Sequence, residues 1–142
     1  MATTTGSGVA IWNITIKQNS DWSPTITWLD DNGAPVNLTG YSMKLEIKAF
    51  AASPISLITL SSSGSSGSRI VLGGTAGTIQ LIFAHADTAS LSPIGLPIPG
   101  SPILGGVQTF ALGVYDLQYT DPTGNQEYLV QGTVSLNQAV TV

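Results

Sequence analysis

The chain lacks cysteine altogether and carries very little charge. Its 142 residues include four lysine or arginine side chains, eight aspartate or glutamate side chains and one histidine. Without cysteine there is no disulfide framework and no thiolate metal site, so packing and hydrogen bonds alone must hold the fold. Charged residues make up 8% of the chain, against roughly 25% in typical soluble domains. The length fits one ordinary domain over residues 1–142, for which we expect no cofactor and no metal.

The scarcity of basic residues and of long apolar runs limits the kinds of partner that the protein is expected to bind. A net charge of −4 with four basic residues provides no patch that could neutralise phosphates, so we expect no nucleic acid partner. No run approaches the roughly 18 apolar residues that a membrane span needs. Residues 1–10 also lack the basic and apolar regions of a secretion signal. We therefore expect synthesis in a reducing cytosol and no membrane association.

Serine and threonine supply the polarity that charge does not, with sixteen of each in the chain. A hydroxyl forms hydrogen bonds without the desolvation cost of a buried ion, so a partner protein can cover it at little cost. Such a surface is typical of proteins that assemble permanently with others.

Alternation of apolar and polar residues predicts strands along most of the chain. In residues 41–48, apolar residues occupy every second position from Met43 to Ile47, and charged residues occupy the positions between and after them. This pattern predicts one core face and one solvent face. Comparable strand signals mark eight segments, which are 9–18, 22–29, 41–48, 55–60, 69–72, 78–83, 110–120 and 127–136.

Turn residues separate these segments and define the fold. Asn32 and Gly33 form the strongest turn signal, and Asp87 is expected to cap a single helical turn over residues 87–91. Because no interval resembles a crossover helix, we predict an all-β, antiparallel, immunoglobulin-like β-sandwich of seven to eight strands with one short helical turn. Residues 1–8 are expected to be a flexible N-terminal segment, and residues 92–106 an inserted, proline-rich arm.

Candidate catalytic groups are few. His85 is the only histidine, and Asp87 lies two positions further on, which raises a Ser-His-Asp hydrolase as one hypothesis. No GxSxG elbow accompanies them, so a loop or capping role for His85 is favoured. Asp30 begins a calcium-like sequence, but its twelfth position is Tyr41 where such loops use glutamate. Turn capping is favoured for Asp30 and for Asp121, and we expect the protein not to be an enzyme.

Three tryptophans form the candidate ligand-binding set. Trp12, Trp22 and Trp28 could line a platform for carbohydrate, since aromatic rings present a large apolar face. Aromatic residues early in a β-sandwich also pack in its core and at its rim. Packing is the favoured interpretation, and a glycan remains an open but less favoured partner.

Three stretches carry a resemblance to a known family: "DWSPTITWLDDNGAPVNLTGYSMKLEIK", "GGTAGTIQLIFAHADTASL" and "YDLQYTDPTGNQEYLVQGTVSLNQAVT". They resemble the small β-sandwich virion proteins of tailed bacteriophages, and in particular the N-terminal domain of phage baseplate upper proteins. The similar features are a D-x-x-G turn followed by "LTG", a "GTI" strand, a "DT" turn, a "YDL" strand and a closing "G-x-V" strand. The resemblance covers about residues 20–142, and residues 92–106 are an insertion relative to it.

The resemblance implies a non-enzymatic structural component of a bacteriophage particle. A tail, baseplate or fibre-adaptor protein of this kind is located in the virion and docks to other virion proteins and to copies of itself. Two alternatives remain open. One is a capsid decoration (cement) protein, and the other is a carbohydrate- or receptor-binding module that uses exposed tryptophans.

The inserted segment 92–106 is the candidate interface. Its four prolines lack amide donors and hold the chain extended, so its apolar side chains cannot all fold back beneath it. We predict that they pack against a neighbouring subunit or another virion protein, since a stiff segment loses little entropy on docking. The alternative is that the segment covers one open end of the sandwich. The apolar residues concerned are Ile94, Leu96, Ile98, Ile103 and Leu104.

Overall fold

A computed structural model describes residues 3–4, 9–92, 107 and 109–141 of the chain. The described part is all-β, as predicted, with ten strands in two sheets. The strands are β1 (Thr3–Thr4), β2 (Ala10–Ile11), β3 (Ile14–Lys17), β4 (Thr25–Trp28), β5 (Ser42–Lys48), β6 (Ile58–Ser61), β7 (Arg69–Leu72), β8 (Thr78–Ile82), β9 (Thr109–Thr120) and β10 (Gln126–Asn137). A 3-10 turn covers Gly74–Ala76, and a short helix, α1, covers His85–Thr88. No helix within the described ranges is long and apolar enough to span a membrane.

The two sheets differ in size and share the N-terminal part of the chain. The smaller sheet has the order β1-β4-β8-β7, and the larger has the order β2-β10-β9-β5-β6, with β3 also paired to β10. All pairs among β4 to β10 are antiparallel. The short segments β1, β2 and β3 instead pair in parallel with β4 or β10. The seven strands from β4 to β10 therefore form the sandwich, and the short N-terminal strands β1, β2 and β3 add to the edges of its sheets.

The core lies between the sheets because each strand directs alternate residues inward. In β5, Met43, Leu45 and Ile47 are buried, and the charged residues between them point outward. This is the pattern that the sequence predicts. Burying an aliphatic side chain of this size stabilises the fold by roughly 1.5–3 kcal/mol. Fully buried residues come from both sheets and include Ile16, Ile26, Leu60, Ile79, Leu81 and Leu117.

Two aspartates hold turns between strands, as expected from the sequence. The Asp30 carboxylate accepts hydrogen bonds from the backbone N–H groups of Asn32 and Ala34, at 2.9 and 3.0 Å. Gly33 in the same turn has a φ of 80°, a left-handed conformation that glycine adopts without strain. Asp121 accepts equivalent bonds from two backbone N–H groups in the turn between β9 and β10. Turn capping by both aspartates is confirmed.

The helical turn begins earlier than the sequence indicates. Helix α1 starts at His85, so Asp87 lies inside it and the prediction of an Asp87 cap over residues 87–91 is wrong. The capping acceptor is Asp21, whose carboxylate receives the His85 backbone N–H at 2.7 Å. Asp87 instead accepts a hydrogen bond from the Ser68 hydroxyl. The first backbone N–H of the helix thus donates to a partner 64 positions away.

The predicted strand over residues 55–60 also begins later. Ile55 precedes β6 and is 68% exposed. The Ser53 hydroxyl donates to the Ile55 carbonyl at 3.2 Å, and it accepts from the Ile55 N–H at 3.3 Å. These local bonds use the backbone groups that a strand would pair across a ladder.

The N-terminal region contacts both sheets. Of residues 1–8, the structure describes Thr3–Thr4, which pair in parallel with Thr27 and Trp28. The predicted strand 9–18 is divided into β2 and β3 at Trp12 and Asn13. There the Asn13 side-chain oxygen, rather than a backbone carbonyl, accepts the Thr133 N–H at 3.0 Å. The interruption replaces a ladder bond with a side-chain bond.

Candidate functional site

The outward side of the six-stranded sheet forms a concave cleft of about 610 Å³. We call it the outer cleft. Small-molecule sites occupy roughly 300–1,000 Å³, so the cleft is large enough for a ligand. The residues that line it are Ile11, Asn13, Lys44, Glu46, Lys48, Ala51, Val114, Tyr115, Asp116, Gln118, Tyr128, Gln131, Gly132 and Thr133.

Cross-strand pairing places these residues in rows. Asp116 of β9 pairs with Glu46 of β5 on one side and with Gln131 of β10 on the other. Gln131 pairs in turn with Ile11 at the sheet edge. Because paired residues on adjacent strands share one face of a sheet and the strands lie about 4.8 Å apart, the four residues form a central row across the cleft. Two flanking rows consist of Lys44, Gln118 and Tyr128 on one side, and Lys48, Val114 and Thr133 on the other.

A register shift in β10 sets the direction of Tyr128. The shift lies between Tyr128 and Val130, so Leu129 is an extra residue and both Leu129 and Val130 are buried. Such β-bulges redirect side chains and are common beside binding sites. Tyr128 consequently faces outward opposite Gln118 and is 47% exposed. Its hydroxyl oxygen accepts a hydrogen bond from Gln118 Nε2 at 3.4 Å.

The charges of the outer cleft compensate one another. Glu46 lies 3.0 Å from the ammonium of Lys44 and 3.4 Å from that of Lys48. The hydrogen bond from Lys44 is the main reason that the pKa of Glu46 is below its ordinary value, and Lys48 adds to the effect. Partial burial raises the pKa of Asp116, and the negative charge of Glu46 raises it further. With two lysines and two carboxylates, the ionised cleft is electrically neutral overall.

Several polar groups in the cleft retain free hydrogen-bonding capacity. Within the described residues, no side-chain hydrogen bond engages the Asp116 carboxylate, the Gln131 amide or the Thr133 hydroxyl. A carboxylate accepts, while an amide and a hydroxyl both donate and accept. The arrangement therefore suits binding of a polar molecule that presents several donors and acceptors.

The three tryptophans lie in two separate aromatic clusters. Trp12 and Trp22 are half-buried, with ring centroids 6.1 Å apart, and Trp22 stacks on Phe83. Trp28 is buried and packs against Tyr41 and Tyr119, with centroids 5.9 and 4.8 Å away. Trp12 and Trp22 are thus brought together, and Trp28 is not. All three contribute to packing at the core.

The histidine is the first residue of α1 and pairs with Asp21, not with Asp87. His85 Nδ1 lies 3.1 Å from Asp21 Oδ1, on an exposed surface. Hydrogen bonds from the backbone and ring of His85 lower the pKa of Asp21. Asp87, the partner considered from the sequence, instead bonds Ser68. Among the described residues, no group of three or more His, Cys, Asp and Glu side chains could hold a metal ion.

The predicted interface lies outside the described residues. This applies to Ile94, Leu96, Ile98, Ile103 and Leu104, and to the arm 92–106 apart from Ser92. Their role therefore stays a prediction.

The sequence predicts only part of the outer cleft. The alternation in residues 41–48 correctly assigns Lys44, Glu46 and Lys48 to the solvent face. Tyr128 and Gln131 could have been paired with that face only by knowing the register of β10 against β9. A bulge, which shifts that register by one residue, leaves no simple signal in the alternation.

Comparison with known proteins assigns no family to the chain. No protein-family model matches it, and no curated protein matches its sequence.

Proposed function

We propose that the protein is a non-enzymatic structural component of a tailed bacteriophage particle. In this role it is a tail, baseplate or fibre-adaptor protein that binds other virion proteins and copies of itself. The sequence resemblance supports the type of particle. The character of the surface supports the assembly role.

The observation that carries the proposal is the near absence of free charge. The chain has twelve charged side chains, four basic and eight acidic, and many are already engaged within the molecule. Glu46 is paired with two lysines, and three aspartates cap turns or the helix. Apolar side chains are left outward, including Phe50 and Ile55. A neighbouring protein can cover such a surface without removing water from unpaired ions.

The resembling motifs lie at positions that define the sandwich. Gly40 of "LTG" has a φ of 82°, which the turn before β5 requires. The "GTI" motif leads into β8, and "YDL" lies within β9. These motifs support a virion β-sandwich of the proposed kind, and the surface supports its assembly.

Particle composition tests the proposal directly. Antibody raised against the recombinant protein is applied to gradient-purified particles of the phage that encodes the chain. We expect the protein to sediment with the particles in constant stoichiometry. We also expect it to stay bound in concentrated salt, because salt screens charged contacts and leaves apolar ones intact. A phage replication protein serves as the control that should remain in the soluble fraction.

Immunogold electron microscopy then locates the protein within the particle. Label on the tail or baseplate agrees with the proposal, whereas label distributed over the head favours the capsid decoration alternative. Purified particles that lack the protein would rule out a virion role of either kind.

A further inference from the structure

We propose that the outer cleft binds a neutral oligosaccharide. This binding role goes beyond the structural role above and does not depend on it. Four properties of the cleft lead to this ligand class, namely its charge balance, its free polar groups, its aromatic rim and its position on a sheet face.

Charge balance argues against an ionic ligand. Two lysines and two carboxylates line the cleft, and Glu46 lies within 3.4 Å of both lysine ammonium groups. A phosphate or a sulfated ligand would have to compete with Glu46 for those lysines. A cationic ligand would meet two ammonium groups beside Glu46. A neutral polar ligand neither competes with Glu46 for the lysines nor is repelled by them.

The free polar groups match the hydroxyls of a sugar. Asp116 and Gln131 are direct cross-strand neighbours, so both side chains extend from the same face of the sheet, where they line the cleft. Planar carboxylates and amides each present two polar atoms, which can bond adjacent hydroxyls that both donate and accept. Thr133 extends this polar surface toward the sheet edge, together with the side-chain NH2 group of Asn13, whose oxygen already accepts the Thr133 N–H. A sugar ring satisfies these groups, whereas an apolar ligand would leave them unpaired at a cost.

The rim supplies the apolar contact that sugar rings also need. Tyr128 is 47% exposed and Ile11 is 66% exposed, and both line the cleft. One face of a pyranose consists largely of C–H groups, which pack against an aromatic ring through dispersion and weak C–H contacts. The outward direction of Tyr128, set by the bulge at Leu129, makes its ring available for such stacking.

The position on a sheet face argues against an extended peptide. Peptides that join a sheet bind its edge, where unpaired backbone N–H and C=O groups are free. The floor of the outer cleft consists of β5, β9 and β10, and each of these strands is paired on both sides. These strands therefore have no free row of backbone groups with which a peptide could pair, and a ligand in the cleft must be recognised by side chains.

A panel of neutral oligosaccharides tests the inference. Arrayed di- to hexasaccharides of glucose, galactose, mannose and N-acetylglucosamine are compared with sialylated and sulfated chains of matching length, using the full-length protein. We expect binding to at least one neutral series and weaker binding to its charged analogues. Titration calorimetry on the best binder then gives the dissociation constant.

Substitutions in the cleft separate recognition from folding. Asp116→Ala and Gln131→Ala should each weaken binding about tenfold or more, as expected for lost hydrogen bonds in a partly desolvated site. Tyr128→Ala should do the same, while Tyr128→Phe should retain affinity because the ring remains. Val71→Ser, at an exposed position of the four-stranded sheet, is the matched control and should leave binding unchanged. Unfolding midpoints confirm that each variant is folded, and Asp116→Asn replaces the alanine variant if that one does not fold.

Several outcomes would overturn the inference. Absence of binding to every neutral saccharide would do so, as would binding restricted to acidic ones. Affinity lost in Trp22→Phe but kept in the cleft variants would assign recognition to the Trp12–Trp22 cluster. Reduced incorporation of the cleft variants into particles, without sugar binding by the wild type, would assign the face to a protein partner.

Discussion

Four aspartate side chains of this protein occupy two different environments, and their position in the chain decides which. Asp21, Asp30 and Asp121 lie in connections and accept backbone N–H groups of turns or of the helix. Asp116 lies in the middle of β9, directly opposite Glu46. The first group stabilises chain reversals. Asp116 has no such partner among the described residues, which leaves it available in the outer cleft.

The opposite pKa shifts of Asp116 and Glu46 predict opposite pH effects on stability. Burial and the charge of Glu46 raise the pKa of Asp116 above 3.8, so the folded state binds this proton more tightly than the unfolded chain does. Its contribution is therefore fully present below pH 3.8 and is lost as the pH rises through the raised pKa. We expect the stability of Asp116→Asn, relative to wild type, to increase from pH 3 to pH 7. Urea unfolding at both pH values measures the difference.

Glu46→Gln provides the opposite case on the neighbouring strand. The Lys44 hydrogen bond lowers the pKa of Glu46 below 4.5, so its contribution is present above that pH and is lost as the pH falls through the lowered pKa. The variant should be less stable than wild type at pH 7, and the difference should shrink toward pH 3. Parallel pH dependence of the two variants would contradict the charge arrangement described for the cleft.

At the scale of secondary structure, period-two alternation predicted most of the strands. The segments 69–72 and 78–83, predicted as the two strands of a hairpin, match β7 and β8 almost residue for residue, and β8 buries every second side chain. Long-range contacts determine the element boundaries that alternation could not predict. Examples are the start of α1, which depends on Asp21, and the division of the strand 9–18 at Asn13.

The sequence predicts the β5 side of the outer cleft but not the β10 side. The polar face of β5 follows from alternation, since the strand is regular. The face of β10 does not, because Leu129 and Val130 are consecutive and both buried. Which residues of β10 face Glu46 and Asp116 depends on pairing across three strands. No pattern within a single segment contains that information.

Glycine at position 132 permits the close packing of the N-terminal segment on β10. A Cβ atom at this position would lie 2.2 Å from the Trp12 carbonyl oxygen, which is backbone and cannot rotate away. Gly132→Ala should therefore displace the segment between β2 and β3 and reduce the free energy of unfolding by about 1–3 kcal/mol, as overpacking does. Urea denaturation measures the change. Displacement of Trp12 should also alter tryptophan fluorescence.

A neighbouring substitution controls for general sensitivity of the strand. Gln131→Ala lies one residue earlier, at an exposed position, and should change stability by less than about 0.5 kcal/mol. Equal destabilisation by both variants would contradict the packing explanation, since of these two positions it is 132 where an added Cβ atom would meet the Trp12 carbonyl oxygen.

At the scale of the whole molecule, two features of the described residues could serve binding, together with the arm 92–106, which apart from Ser92 lies outside them. The outer cleft is polar and neutral, whereas Phe50 and Ile55 are exposed apolar residues in the connection between β5 and β6. The arm 92–106 is apolar in sequence and lies between α1 and β9. Saccharide binding is proposed for the cleft, and the apolar surfaces suit contacts with proteins.

Replacement of the arm distinguishes its two possible roles by magnitude. If Ile94, Leu96, Ile98, Ile103 and Leu104 completed the core, their loss would remove roughly 1.5–3 kcal/mol each, comparable to the 5–15 kcal/mol that holds a typical domain folded. We predict the other result. A variant with residues 92–106 replaced by a short Gly-Ser turn should unfold cooperatively near the wild-type midpoint but fail to enter particles of a phage deleted for the gene. Val71→Ser, at an exposed position of the four-stranded sheet, is the control for loss of exposed apolar surface and should still be incorporated. Normal incorporation of the shortened protein, or its unfolding as a monomer, would show that the arm is not the interface.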